Sequence, residues 1–428
     1  MNITIVGMGK IGLPLAVSFA KKGHKVTGLD INLKTIEMIN AGNEPFPGEE
    51  NLDLYLKEVI NNNFLKATYD IEGAIKSADV ILVCIPLIID SNNKADFRGI
   101  DLVIENISKN MRKDVLISIE TTLPVGTTRD RFAKSIEIIS GLKIGQDFYV
   151  VFSPERVSSG RIFNDLKKYP KLVGGVTKNC TEKGVDFYKT VLDFDTRSDL
   201  SKPNGVWALQ NCETAEFTKI AETTYRDVNI GLANEFALYA GSKNIDFTDV
   251  IQAANSQPYS HLHSPGLSVG GHCIPVYPHF YIQDNKQSHI VQAARERNLS
   301  MPYLAVEKIK EKYPVLSELS IGIFGITYRP GVKENAFSGA IELLKILKNE
   351  GARVYGVDPM YSKDEIKSFG FEYTPTFTNL DGIIIHTAHE EFININYNGL
   401  INLKFLFDGR YNYKKQFNSN INFTYLSI

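Results

Sequence analysis

The sequence predicts an α/β protein: two Rossmann-like doubly wound domains joined by a central long-helix domain. Three observations carry this expectation. Short β-branched runs alternate with helical patterns at both ends of the chain, from Asn2 onward and again from Ser320 onward. Such alternation packs as a parallel sheet covered by helices. A glycine-rich turn, Gly7-Met8-Gly9-Lys10-Ile11-Gly12, follows the first strand and opens the first helix. Between the two α/β regions, Val206–Ser242 contains no proline, and Gly231 is its one glycine before the end.

With 428 residues the chain exceeds one ordinary core, so two to three domains are expected. Hydrophobic residues make up 43% and the net charge is -2, so no basic field calls for nucleic acid or an anionic membrane. The near-continuous apolar run Val80–Ile89 is far too short to span a bilayer and reads as a buried parallel strand running into a loop. Cys84, Cys180, Cys212 and Cys273 are scattered and form no CxxC pair. That argues against a structural zinc site or a disulfide framework and suits a reducing, cytoplasmic location. No signal peptide is visible, and no metal is expected.

The strand Ile3–Val6, the glycine turn, the helix Leu13–Lys22 and the strand Lys25–Leu29, closing at Asp30, form a dinucleotide-binding unit. Gly7 makes the turn, Gly9 lets a pyrophosphate approach the backbone, and Gly12 lets helix and strand pack closely. Lys10 and Ile11 complete the loop. Asp30 is placed to accept the adenosine ribose hydroxyls, which favours NAD over NADP. Further strands are expected at Val80–Ile85, Val115–Ile119 and Tyr149–Phe152, with helices such as Ile100–Asn110 and Thr127–Ile139 between them. Polar clusters fall at three strand ends: Cys84-Ile85-Pro86, Glu120 to Pro124, and Ser153-Pro154-Glu155-Arg156. Ligands bind at such ends in doubly wound sheets, so these clusters predict a shared cleft.

The 206–242 stretch reads as one long, largely buried helix, with Ile220, Tyr225, Val228, Ile230, Leu232, Phe236 and Leu238 inside. Its many polar groups, among them Glu213, Glu216, Lys219, Asp227 and Asn234, then need partners at a site or in a second subunit. Gly266–Tyr281 follows, with Cys273 directly after Gly270, Gly271 and His272. A cysteine here is either a small apolar residue in a tight turn or a nucleophile. Beyond it, strands are expected at Ser320–Thr327, Arg353–Asp358, Asp381–His386 and Lys404–Phe407. Asp358-Pro359 reads as a turn, and the tail from Tyr411 ends in a strand.

The order of TTLPVGTT, SPERV, TKIAETTYRDVNIGLANE, VGGHCIPV and GITYRPGVKENAFSGA resembles the UDP-glucose/GDP-mannose dehydrogenase family over nearly the whole chain. The PERV, YRDVNI…ANE and GGHC forms look most like its UDP-N-acetylhexosamine 6-dehydrogenases, those acting on UDP-N-acetylmannosamine or UDP-N-acetylglucosamine. The resemblance implies an NAD-binding Rossmann domain at 1–200. It implies a central helical dimerisation domain with the cysteine loop at 201–300, and a UDP-sugar-binding Rossmann-like domain at 301–428. It also implies a homodimer built on the long helix.

In residue terms, the resemblance implies Cys273 as nucleophile and Lys219 as stabiliser of the oxyanion. Thr122 orders water and contacts the nicotinamide, and Glu155 serves thioester hydrolysis. Pro86 and Lys333 join the cofactor site. Glu155, Arg156, Val157, Lys219, Gly270 and Arg329 meet the UDP-sugar. The implied reaction is a two-step oxidation of the C6 alcohol to a carboxylate through a Cys273 thiohemiacetal and thioester. Four positions depart from the family pattern: Thr223 for an asparagine, Tyr277 for an aspartate, Ser159 for a glutamate and Ala336 for an arginine. The alternatives are a UDP-glucose 6-dehydrogenase, a one-step hydroxyacid dehydrogenase, and a non-catalytic nucleotide-sugar or NAD-binding regulator.

Overall fold

The computed structural model describes residues 1–90, 92–411, 413 and 421–428, and the chain divides into two compact units, Met1–Glu222 and Thr223–Ile428. In the first unit the strands are β1 (Asn2–Val6), β2 (Lys25–Leu29), β3 (Leu65–Thr68) and β4 (Val80–Val83). A small antiparallel hairpin follows, β5 (Ile88–Ile89) with β6 (Ala95–Asp96), and then β7 (Leu116–Ile119), β8 (Tyr149–Phe152), β9 (Lys171–Gly175) and β10 (Val206–Ala208). Eight of them form one sheet in the order β10-β9-β8-β7-β4-β1-β2-β3.

From β3 to β8 every pair is parallel, and the order reverses about β1, which lies between β2 and β4. That reversal leaves a crevice beyond the carboxyl end of β1. The β4 and β7 strands are buried throughout, as their unbroken apolar runs require in a sheet covered on both faces. The last two strands turn round: β9 is antiparallel to β8, pairing Gly174 with Phe152, and β10 runs parallel to β9. The start of β9 therefore lies at the carboxyl end of β8.

The second unit holds β11 (Ser320–Phe324), β12 (Arg353–Val357), β13 (Glu372–Tyr373), β14 (Gly382–Ile385), β15 (Phe405–Asp408) and β16 (Thr424–Ser427). They form an all-parallel sheet, β13-β12-β11-β14-β15-β16, so the expected second Rossmann-like layer and its terminal strand are present. Part of the expected tail, residues 412 and 414–420, lies outside the described residues. Asp358 is the turn residue expected: its carboxylate accepts the amides of Ile326, Thr327 and Met360 at 2.6–2.8 Å.

Three expectations are corrected. Val206 begins strand β10, and the long helix is Cys212–Ser242. Asn211 sets its start, because its side-chain oxygen accepts the Thr214 amide at 2.8 Å, as an N-cap does. The segment expected as a helix from Thr127 opens as a π-helix, Thr127–Ala133, before α-helix Lys134–Ser140. The burial of the long helix also departs from expectation, although Ile220 is buried and Val228, Ile230 and Leu238 are half-buried. Tyr225, Leu232 and Phe236 are exposed with Phe217 and Tyr239, whereas Glu216, Lys219, Asp227 and Asn234 are buried, as are Ala233, Ala237 and Ala240. Small alanines let neighbouring elements approach closely, and each of those four polar groups makes a hydrogen bond within its own unit.

Candidate active site

In the first unit the glycine turn has the shape that a dinucleotide needs. Gly7 has φ +94°, and a Cβ there would fall 2.9 Å from the Ile85 side chain. A Cβ on Gly12 would lie 1.9 Å from the Gly7 carbonyl oxygen. Those two glycines are demanded by the chain's own packing. At Gly9 a Cβ would meet nothing within 4 Å, so the chain's packing does not demand a glycine there. Room beside the backbone, next to the N-terminus of helix Gly12–Lys21, whose first turn has no side-chain cap, fits a pyrophosphate. Asp30 accepts the Met8 amide at 2.9 Å and the Asn32 amide at 2.8 Å, so this acid ties the end of β2 to the glycine turn. Lys10 and Pro86 are exposed and Ile11 is half-buried.

Two strands across the sheet from β1, Thr122 is buried just after β7. Its loop is held from the long helix. The carboxylate of Glu216 accepts the Gly126 and Thr128 amides at 2.6 and 2.8 Å and the Thr128 hydroxyl at 2.6 Å. Burial pushes the Glu216 carboxyl up to about 7, against those hydrogen bonds.

After β8, the buried carboxylate of Glu155 pairs with the ammonium of Lys171, and the Glu155 main-chain carbonyl accepts the Lys219 ammonium at 2.6 Å. Lys219, which periodicity left undecided between solvent and interior, is thus buried. Arg156 donates to the Pro170 carbonyl at 3.2 Å and pairs with Glu222 at 2.5 Å, while Val157 packs against the core. Sequence reasoning missed Lys171, and it placed Glu120 in a strand-end cluster and Glu216 on the long helix without their partners. Glu216 read as one of many helix polar groups in need of a partner.

In the second unit Cys273 is exposed, and its thiol donates a long hydrogen bond to the Tyr277 hydroxyl, 3.8 Å away. A neutral phenol thus stands against the sulfur at one of the positions that departs from the family pattern. Backbone geometry brings the two together, since the Cys273 carbonyl accepts the Val276 and Tyr277 amides as helix Tyr277–Asp284 begins. The glycines before it are sterically required. A Cβ on Gly270 would lie 2.4 Å from the Tyr328 Cβ. Gly271 has φ +91° and donates its amide to the Ala336 carbonyl at 2.8 Å. His272 lies 3.4 Å from Glu334. Arg329 is half-buried with its guanidinium 5.9 Å from the Tyr328 ring, and Lys333 pairs with Glu365 at 2.6 Å.

The start of the cysteine loop is fastened to the long helix by a buried polar latch. Asn234 accepts the Gly266 amide at 2.8 Å and donates to Asn298 at 2.9 Å. Asn298 donates to Asp227 at 2.8 Å, and Arg295 donates to the same Asp227 oxygen at 2.9 Å. The RDVN…ANE run of the sequence is in part this latch. Its Asp227 and Asn234 face Arg295 and Asn298 of helix His289–Lys310.

A doubly wound sheet with this glycine turn and an acid at the end of β2 defines a dinucleotide-binding fold. Residues 1–192 match the NAD binding domain of the UDP-glucose/GDP-mannose dehydrogenase family, residues 213–300 its central domain, and residues 322–415 its UDP binding domain. The chain belongs to that family. It is an NAD-dependent oxidoreductase acting on the CH–OH of a UDP-sugar.

It is 33% identical over 96% of its length to the UDP-N-acetyl-D-mannosamine dehydrogenase of Pyrococcus horikoshii, covering 95% of that protein. To the enzyme of that name from Methanocaldococcus jannaschii it is 33% identical over 94%, covering 89%. A solved structure of the Pyrococcus horikoshii UDP-D-ManNAc dehydrogenase matches with a TM-score of 0.89 at 32% identity, over 100% of this chain and 99% of that one. A UDP-glucose dehydrogenase from Pyrobaculum islandicum matches with 0.88 at 25% identity, over 99% and 96%. The fold therefore does not separate the sugars. Among the described residues no helix is long and apolar enough to cross a membrane.

Proposed function

We propose that the chain oxidises the C6 alcohol of UDP-N-acetylmannosamine to the carboxylate in two steps, with Cys273 holding the intermediate. End-to-end similarity to UDP-N-acetyl-D-mannosamine dehydrogenases carries the choice of sugar. NAD, when bound, accepts a hydride in each oxidation. The Cys273 sulfur bonds to the aldehyde carbon, which keeps a reactive species attached. Loss of hydride from that carbon converts the thiohemiacetal to a thioester. Water then cleaves the C–S bond, releasing the acid and restoring the thiol. Lys219 supplies positive charge where the oxygens become anionic. Glu155 activates the water and Thr122 positions it.

In this reading Gly7, Gly9, Lys10, Ile11, Gly12, Asp30, Pro86, Thr122 and Lys333 serve the cofactor. Arg156, Val157, Gly270 and Arg329 join Glu155 and Lys219 on the UDP-sugar. The domains run 1–200, 201–300 and 301–428. The compartment proposed is the cytoplasm, in keeping with four free thiols.

The homodimer belongs to the same proposal. Phe217, Tyr225, Leu232, Phe236 and Tyr239 are exposed, and at helical spacing they share one face of Cys212–Ser242. A second copy would cover that stripe. A single-chain mass by light scattering at micromolar concentration contradicts it.

The test of function is NADH absorbance with a panel of UDP- and GDP-sugars. The expected result is highest kcat/KM with UDP-N-acetylmannosamine and two NADH for each sugar consumed. Preference for UDP-glucose overturns the sugar, one NADH for each sugar overturns the two-step course, and binding without NADH overturns the catalytic reading.

A further inference from the structure

Lys171 opens β9, and the antiparallel turn of that strand puts it at the carboxyl end of β8, beside Glu155. Its side chain is 5% exposed. The ammonium donates to Glu120 Oε2 at 2.6 Å, to the Ser153 carbonyl at 3.3 Å, and to the Glu155 carboxylate. Glu120 is anchored in turn: its Oε1 accepts the Ser118 hydroxyl at 3.0 Å and the Tyr188 hydroxyl. One carboxylate would neutralise a buried lysine. Here Glu120 already does so from the core side, and Glu155 is the second, on the side of the strand end. Burial opposes the charge on Lys171, and the two carboxylates more than offset it, holding the ammonium charged. The Glu155 peptide also carries the carbonyl that receives Lys219 at 2.6 Å. A side chain fixed by a buried ion pair and a backbone fixed by a second lysine leave Glu155 little freedom.

We propose that Lys171 is a positioning residue for thioester hydrolysis: anchored on Glu120, it fixes the Glu155 carboxylate. The inference rests on the proposed role of Glu155. Misplacing a reacting group by about 1 Å costs on the order of 10²-fold in rate. Loss of Lys171 therefore slows the hydrolytic step and leaves the first oxidation comparatively intact, because NAD binding uses the glycine cradle elsewhere in the sheet.

Removing Lys171 alone leaves two carboxylates facing each other in a dry pocket. The cleaner comparison is Glu120→Gln against Glu120→Gln/Lys171→Met, where the double variant keeps the net charge of the wild-type cluster. Both are mixed with NAD and UDP-N-acetylmannosamine. The NADH burst and the adduct mass on Cys273 are followed by rapid quench and intact-protein mass spectrometry, with melting curves for each variant.

Relative to Glu120→Gln, the double variant should lose about 10²-fold in hydrolysis. It should accumulate the Cys273 adduct and keep its first NADH burst. Lys171→Arg in place of Lys171→Met should restore part of the hydrolytic rate. In a Glu155→Gln background, Lys171→Met should add nothing further. Equal hydrolysis in the two Glu120 variants, or a parallel loss of burst and hydrolysis, overturns the role of Lys171. If Glu155→Gln alone hydrolyses at the wild-type rate, the reading of Glu155 fails instead, so the two failures are distinguishable.

Discussion

Lys219 reaches from the long helix to the main-chain carbonyl of Glu155, 2.6 Å from nitrogen to oxygen. Two groups assigned to different steps of the reaction are thereby held in one geometry, although 64 positions separate them in sequence. The acceptor is a neutral carbonyl, so this contact orients the ammonium without neutralising its charge.

Lys219→Ala should therefore lower kcat far more than it raises KM for the UDP-sugar, by about 10²–10³ in kcat, since the charge matters most when oxygen becomes anionic. Steady-state kinetics at saturating NAD measures this. A variant with unchanged kcat and a raised KM would show that Lys219 only binds.

Asp30 is proposed to serve the cofactor and is seen to hold the glycine turn, and its replacement should reveal both. Its carboxylate repels a 2′-phosphate, so the wild type should prefer NAD. Asp30→Ala should narrow the NAD-over-NADP ratio in kcat/KM on the order of tenfold or more. The Met8 amide, 2.9 Å from that carboxylate, also loses its acceptor, so KM for NAD should rise. Comparable use of both cofactors by the wild type contradicts this account.

Glu216 should leave a mark on stability against pH. Its folded-state carboxyl is pushed up to about 7 from an ordinary value of 4.5, so between those limits the folded chain holds a proton that the unfolded chain has released. Stability then falls as pH rises through that window, by at most about 1.4 kcal/mol per pH unit, and levels off above it. Asp227, pushed up to about 6, acts in the same direction over a narrower range. Comparing melting temperatures of the wild type and Glu216→Gln from pH 4.5 to 8 isolates Glu216. The wild type should lose ground to the variant as pH rises toward 7, and parallel curves contradict the assignment.

What could be read from the sequence was local. The glycine turn, its flanking strand and helix, and Asp30 obey rules that act over about thirty residues, and β11, β12, β14 and β15 followed from apolar runs, whereas the two-residue, exposed β13 did not. What escaped depended on distant partners. Nothing near Lys171 announces Glu120 and Glu155, and nothing near Glu216 announces that the amides of Gly126 and Thr128 end on it. The long helix misled because an apolar pattern suggests burial. Its aromatic stripe is exposed, while buried polar groups are satisfied by Arg295, Asn298 and Gly266. The start of the helix moved because the Asn211 cap outweighed a continuous pattern through Val206.

The central claim is that the sugar becomes covalently bound to Cys273. Glu155→Gln should hydrolyse the thioester slowly, so the enzyme mixed with UDP-N-acetylmannosamine and excess NAD should hold the oxidised nucleotide sugar long enough to weigh. Cys273→Ser supplies a far weaker nucleophile and should trap none. The decisive measurement is intact-protein and peptide mass spectrometry of Glu155→Gln after rapid acid quench. The account predicts an acyl adduct of the nucleotide sugar on the peptide containing Cys273, absent without NAD. Absence of any adduct, together with formation of the uronic acid by Cys273→Ala at the wild-type rate, would contradict it.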